Sequence, residues 1–372
     1  MRSKIVRRID GESGVFSFLT GLAPADLQSL MLAVYQARAA RIDLAQVIAT
    51  RRGKALFASS DVDARLFTRF DAHAFACARD FQAIDLAPVC PLGTTQGLGG
   101  IDQNNVLTGI RNAEVLGDST PGLALECALR RKNPADRKNV IRLAATHRVI
   151  RLQPFDTSGF TPHFRLFALA SAGRDRGSHR FEMESLREHI RFYLNFFRAL
   201  NADGFSFGST LVEISDVGMT RAILEKAGVA EELREVIRAH RPQLSDRFLR
   251  DRSVNLPEPF ADPASQLEEL RHRHGVDDRR LAAVKAEVFD PLATEFPDAT
   301  FQFNLARLEG IGYYTGLSLR ISPAGPDGIR FPIVDGGFVD WTARLLQDKK
   351  ERLLTSGIGS EFACRSFVKA SR

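Results

Sequence analysis

Two alternating segments dominate the middle of the chain. Residues 140–153 and 163–172 alternate apolar and polar positions, and Pro154-Phe155-Asp156-Thr157-Ser158-Gly159 joins them, which predicts a long antiparallel hairpin with a polar tip. The period then changes. Over 181–200, Leu186, Ile190, Tyr193, Leu194 and Phe197 share one helical face, and Asn201 with Gly204 supply a stop. Earlier in the chain, Pro24-Ala25-Asp26 opens a helix carrying Leu27, Leu30, Leu32 and Val34. Residues 61–79 predict a second helix through Leu66, Phe67, Phe70, Phe75 and Ala76, and 81–88 alternates as a strand that stops at Pro88. Residues 94–105, rich in Gly, Gln and Asn, read as a loop; 114–116 reads as a short strand and 122–132 as a helix broken by Asn133-Pro134.

Further on, 210–215 predicts a strand and 218–227 a helix ended by Gly228. Residues 229–298 are charged and mostly helical, interrupted by Pro257, Pro259, Pro263 and Pro291, and 300–340 returns to strands with Gly-rich turns. This order predicts an α+β fold: an antiparallel sheet flanked by helices, with the helices on one face and a helical insertion. The expected organisation is an N-terminal extension with a helix over 1–60, a core over 61–228 and 299–372, and the insertion over 229–298. No repeat or low-complexity tract interrupts it.

Composition excludes several classes. The 372 residues are 44% hydrophobic and 26% charged, an ordinary globular balance that rules out disordered, collagen-like and coiled-coil chains. No apolar run approaches the ~20 residues of a membrane span. The basic lead over 1–10 runs into no apolar signal core, so a cytoplasmic protein is expected. Cys77, Cys90, Cys127 and Cys364 are scattered without a Cys-x-x-Cys pair, which predicts free thiols and no structural metal. His272 and His274 flank Arg273 and would not face one another on a helix.

The formal net charge is +6, and the positives are uneven. Arg130, Arg131, Lys132, Arg137, Lys138, Arg142, Arg148 and Arg151 fall in one stretch where Asp136 is the sole acid. Such a stretch suits phosphates, of a nucleotide or a nucleic acid, or is simply a solvated helix end. No zinc finger, helix-turn-helix or RNP-type aromatic motif accompanies it, so nucleic acid is not the favoured partner.

Two constellations carry candidate chemistry. The first strand of the hairpin ends in Ile150-Arg151-Leu152-Gln153, and the second begins Pro162-His163-Phe164-Arg165. A guanidinium offers a planar fork to a phosphate, and an aromatic ring offers a face to a base. The second is Gly310-Ile311-Gly312-Tyr313-Tyr314-Thr315-Gly316-Leu317, in which glycines let backbone approach a ligand and two tyrosines wall a small polar molecule. Asp335-Gly336-Gly337-Phe338-Val339-Asp340 follows, and then Gly357-Ile358-Gly359, a short helical step before Arg365.

Tyr313-Tyr314-Thr315-Gly316 resembles the histidine-binding loop of histidyl-tRNA synthetases, usually Arg-Gly-Leu-Asp-Tyr-Tyr-Thr-Gly. The Asp335 to Asp340 segment is similar to that family's Gly-Gly-Arg-Tyr-Asp. The Arg151 hairpin resembles class II motif 2, the stretch from Gly357 to Arg365 a degenerate motif 3, and the 61–79 helix with the strand ending at Pro88 a motif 1 dimerisation element. Asp118-Ser119-Thr120 looks like the Glu-Gly-Thr of the amino-acid pocket. The resemblance implies a class II synthetase-like core that binds ATP with Mg2+ and an amino acid, as a homodimer. It would place Arg151 on the α-phosphate, Phe164 on adenine and Arg365 on the γ-phosphate. Gln153 would stand where motif 2 has a glutamate. Asp118 and Thr120 would hold an amino group, with Tyr313 and Tyr314 along the side-chain pocket and Glu309 at the same amino-acid site.

The departures shape the expectation. The family's loop arginine is Glu309, its loop aspartate is Gly312, and the Arg and Tyr of its later motif are Phe338 and Val339. A carboxylate ~4 Å from a phosphate at a surface-like dielectric repels by about 4 kcal/mol before screening. Few residues follow Arg365, so no anticodon-binding domain is expected. The preferred reading is therefore a paralogue of the ATP phosphoribosyltransferase regulatory subunit type: an amino-acid-binding regulatory protein of histidine biosynthesis, partnered by a catalytic phosphoribosyltransferase subunit. An ATP-dependent, AMP-forming ligase acting on an amino acid or another carboxylate is the alternative, and a nucleic-acid-binding scaffold is the third.

Overall fold

The computed structural model describes residue 8 and residues 14–152, 161–238, 242–264 and 279–369. Eleven strands are present among them: β1 (Gln82–Ala83), β2 (Val89–Pro91), β3 (Thr108–Gly109), β4 (Ala113–Val115), β5 (Ile141–Ile150), β6 (His163–Arg174), β7 (Thr210–Asp216), β8 (Ala299–Phe303), β9 (Leu317–Pro323), β10 (Val334–Val339) and β11 (Glu351–Ile358). Eight form one sheet in the order β1-β5-β6-β11-β10-β9-β7-β8, and β2-β4-β3 form a small second sheet. From β5 to β7 every pairing is antiparallel; only the edge pairs β1/β5 and β7/β8 are parallel. The expected hairpin is β5/β6, in register with Val149 opposite Phe164 and Ile150 opposite His163. Its tip and Gln153 lie outside the described residues.

Helices cover both faces of the large sheet, where one had been expected, because successive strand residues point to opposite sides and both sides are apolar. Phe167 and Leu169 of β6 face a core shared with the helices Ala64–Cys77 and Arg180–Asn201. Phe192 stacks on Phe167 at 5.5 Å between centroids, and Phe196 meets Phe70 edge-on at 4.8 Å. On the other face Ala168, Ala170 and Ala172 pack with Leu123, Ala124 and Trp341, from the helices Ser119–Lys132 and Trp341–Leu346. Small residues on the strand let the Ser119 helix lie close to the sheet.

Several local expectations changed. Of the strand expected over 81–88, only β1 forms. The loop expected over 94–105 contains a helix, Thr94–Gly99, because buried Glu114 captures its first turn: Thr95 N–H donates to Oε1 at 2.6 Å and Gly93 N–H to Oε2 at 2.9 Å. Burial alone would raise the Glu114 pKa, but these donors hold it below the ordinary value. In the 229–298 stretch, Arg279–Val284 continues through a π-turn, Lys285–Phe289, into Asp290–Glu295. Pro291 lacks the N–H that would bond residue 287, which accounts for the widened turn. Leu281, Val284, Val288 and Leu292 of this run join the core under the Arg180 helix. The N-terminal helices Val15–Gly21, Pro24–Ala39 and Leu44–Gly53 bury no residue.

Candidate functional site

One cavity of about 800 Å³ opens on the face of the sheet that carries the Ser119 helix. Asp118, Thr120, Arg151, Tyr313 and Tyr314 all line it, although they come from three separate parts of the chain. Asp118 is the N-cap of the Ser119 helix, and its Oδ1 accepts the Thr120 N–H and hydroxyl, each at 2.9 Å. The end of β5 brings in Arg151, whose N–H donates to the Pro162 carbonyl at 2.7 Å. Its guanidinium donates to Asp118 Oδ2 and to the Gly117 carbonyl, both at 2.7 Å. The Thr120 and Tyr313 hydroxyls lie 3.0 Å apart, so this chain of contacts crosses from hairpin to tyrosine loop.

Shape explains the tyrosines. Gly310 has φ +86°, and a Cβ there would sit 2.5 Å from the Tyr314 ring. At Gly337 of β10 a Cβ would sit 2.6 Å from the other side of the same ring. The two glycines thus make the slot that holds Tyr314. Tyr313 packs edge-on against Trp341 at 5.0 Å between centroids. Burial pushes both tyrosine pKa values well above the ordinary phenol range, with Asp118 adding to the effect at Tyr313 and Asp335 at Tyr314. Both are neutral hydrogen-bonding walls.

The structure adds residues that motif reading did not assign. Asp335 of β10 accepts the Tyr314 hydroxyl at 3.0 Å and Arg307 Nη2 at 2.7 Å on the same oxygen, Oδ1. The Arg307 side chain is 1% exposed, so a buried cation props this carboxylate from behind. Burial disfavours the charged guanidinium, but Asp335 outweighs it and the Arg307 pKa is raised. Arg221, Arg234 and Arg344 also line the cavity. Each is tethered: Arg221 to the Ile311 carbonyl at 3.0 Å, Arg234 to Glu231 at 2.8 Å, and Arg344 to the carbonyls of Gly97 and Leu98. Asp335 belongs to the Asp335-Gly336-Gly337 segment that resembles a family motif, whereas Arg307 and the arginines of the helices carry no sequence signal.

Three expected site residues lie elsewhere or at the edge. Phe164 is not part of the lining, but the Arg151 guanidinium lies over its ring at 5.2 Å to the centroid. Glu309 has a 56% exposed side chain and points toward Arg320 at 3.9 Å. Glu309 is not among the residues that line the cavity, and the left-handed turn at Gly310 lies between it and the tyrosines. Arg365 bonds Asp61 at 2.5 Å and lies 3.5 Å from Glu361, away from the cavity. Glu361, 2% exposed, also takes Arg148 at 2.9 Å and the Ser60 hydroxyl at 2.6 Å, and this cluster ties residues 60–61 to the last helix, Ser360–Ser366. Among the described residues no group of three or more His, Cys, Asp or Glu is arranged to hold a metal ion, and no helix is long and apolar enough to cross a membrane. His272 and His274 fall outside them. All four cysteines are free, and burial pushes Cys127 and Cys364 up to about 12.

No family model matches the sequence, and no curated protein does. Solved structures do match in fold. An ATP phosphoribosyltransferase regulatory subunit/histidyl-tRNA synthetase from Bacillus halodurans superposes with a TM-score of 0.57 at 16% identity, over 81% of this chain and 78% of that one. A histidine–tRNA ligase subunit from Alicyclobacillus acidocaldarius gives 0.58 at 16%, over 82% and 94%. A histidyl-tRNA synthetase from Nostoc gives 0.54 at 17%, over 84% and 74%. The α+β fold with its mostly antiparallel sheet is thus the class II synthetase-like fold of these neighbours.

Proposed function

We propose that this chain is a synthetase-like regulatory protein that binds an amino acid and does not charge tRNA, of the ATP phosphoribosyltransferase regulatory subunit type. The observation that carries the reading is the convergence of Asp118, Thr120, Tyr313 and Tyr314 on one cavity while Arg151, the guanidinium suited to a phosphate, is held by Asp118. An α-ammonium suits Asp118, and an uncharged polar side chain suits the neutral tyrosine hydroxyls. A nucleotide fits less well. Its phosphate would have to displace a carboxylate from Arg151, and Arg365 is engaged at Asp61. In this reading the protein works in the cytosol, as a homodimer, beside a catalytic phosphoribosyltransferase subunit.

The test is calorimetry with histidine and the other amino acids, followed by co-purification with the short-form phosphoribosyltransferase of the same organism. Saturable amino-acid binding lost in Asp118→Asn, together with a stable complex, supports the proposal. Absence of both amino-acid binding and complex formation overturns it. The second reading, an ATP-dependent ligase, is favoured by the pairing of Arg151 with the Phe164 ring, the guanidinium and aromatic that this reading would assign to phosphate and base. Amino-acid-dependent pyrophosphate exchange that disappears in Arg151→Ala would establish that reading instead.

A further inference from the structure

The basic stretch over 130–151 resolves into two kinds of residue. Arg130, Arg131, Arg142, Arg148 and Arg151 are committed to acceptors within the fold: Arg130 to Gln82, Arg131 to Glu351, Arg142 to Glu188, Arg148 to Glu361 and Arg151 to Asp118. Among the described residues Lys132, Arg137 and Lys138 have no side-chain acceptor, and all three are exposed. The fold adds two more cations of the same kind, Lys349 and Lys350, at the turn before β11. Lys132 and Arg137 line a cleft of about 330 Å³ whose other wall is Leu345 to Asp348, so all five cations lie at or within two residues of its walls.

The cleft is built on a rigid floor. The fully buried Arg131 pairs with Glu351 and donates to the carbonyls of Asn139 at 2.7 Å and Arg137 at 3.3 Å. One guanidinium therefore fixes the 133–139 turn against β11. The acids around the cleft are already engaged: Glu351 by Arg131, and Asp348 by Arg174 at 3.2 Å and by the Lys350 N–H at 3.0 Å. The Ser119 and Trp341 helices end here, and because their carbonyl ends carry partial negative charge, an anion must be held by the surrounding cationic side chains. Among the described residues no aromatic side chain lines the cleft, so none of them is placed to stack a base.

We propose that this cleft is an anion site for a short chain of phosphates, free or as the tail of a nucleotide, bound by Lys132, Arg137, Lys138, Lys349 and Lys350. It shares no lining residue with the candidate cavity. The two sites are joined by the same pair of helices, which begin at Asp118 and Asp340 beside the cavity and end at the cleft.

The test is calorimetric titration of the full-length protein with inorganic tripolyphosphate and with ATP at low salt. The variants are Lys132→Gln/Arg137→Gln, Lys349→Gln/Lys350→Gln and, as a marker of the other site, Arg151→Ala. All substitutions at the cleft are on exposed side chains, and an unchanged melting temperature shows that they fold. Saturable tripolyphosphate binding is expected, weakened about fivefold or more by each double variant, unchanged in Arg151→Ala, and falling as salt is added. Equal affinity for ATP and tripolyphosphate identifies the free chain as sufficient; tighter ATP identifies the nucleotide tail. No binding, or binding lost only in Arg151→Ala, overturns the proposal. A single-stranded RNA that binds far more tightly than tripolyphosphate, through the same lysines, overturns it in favour of a nucleic-acid surface.

Discussion

The N-terminal helices and the Arg131 neighbourhood are opposites built from similar local signals. The Pro24 and Leu44 helices have sound starts, with Pro24 in the first turn of one and the Asp43 carboxylate capping the other at the Gln46 N–H. Yet they bury nothing, and Leu44 is 81% exposed. The Ser119 helix has a similar cap in Asp118, but it buries nine residues, including Arg131, whose side chain is inaccessible to solvent. The difference teaches that caps decide where a helix begins, whereas burial decides what its loss costs the fold.

That contrast can be broken most sharply at Glu351. Glu351→Leu leaves Arg131 charged and without its carboxylate in the interior, and a loss of about 3–5 kcal/mol in denaturant unfolding is expected. A variant as stable as the wild type would show that the buried pair does not anchor this region. Gly337→Ala comes next, since its Cβ would meet Tyr314 at 2.6 Å and Ser318 at 2.9 Å. Overpacking of this kind costs about 1–3 kcal/mol, and the Tyr313–Trp341 contact makes tryptophan fluorescence the companion readout.

The third handle is pH. His189 is fully buried between Ser171 at 3.0 Å and Ser356 at 2.8 Å, and burial, aided by nearby Arg142, pushes its pKa down to about 3. The unfolded chain takes up the proton near pH 6.5, so the stability is complete above that value and falls as pH drops toward the folded pKa. About 2 kcal/mol should be lost between pH 7 and pH 5, and His189→Gln should flatten that part of the profile. A wild-type profile flat over this range would contradict a neutral, buried His189. The smallest effects belong to the N-terminal helices: Leu44→Ser should shift stability by less than about 0.5 kcal/mol in the isolated protein. A larger loss would mean that these helices are packed, and the contrast would fail.

The sequence was most legible where one residue's neighbours along the chain decide its structure. The β5/β6 hairpin and the Arg180 helix follow from their apolar periods, and the tyrosine loop from its glycines. Legibility ended where the deciding partner is distant. The Thr94 helix depends on Glu114, β11 begins at a glutamate whose burial depends on Arg131, and Asp335 matters because Arg307 stands behind it. Arg365 shows the reverse error: a residue placed by motif spacing is taken by Asp61, which lies 304 positions earlier.

The bond between Arg151 and Asp118 has a consequence for any visitor to the cavity. Because both partners are fixed, one at the end of a strand and one at the cap of a helix, the carboxylate confronts the guanidinium as a tethered competitor at high effective concentration. A weak or singly charged anion therefore gains little by arriving. Under the proposed amino-acid reading, a solute that satisfies Asp118 with a cation of its own, and so releases the arginine, would be the one to occupy both positions, and the resting molecule would act as its own filter.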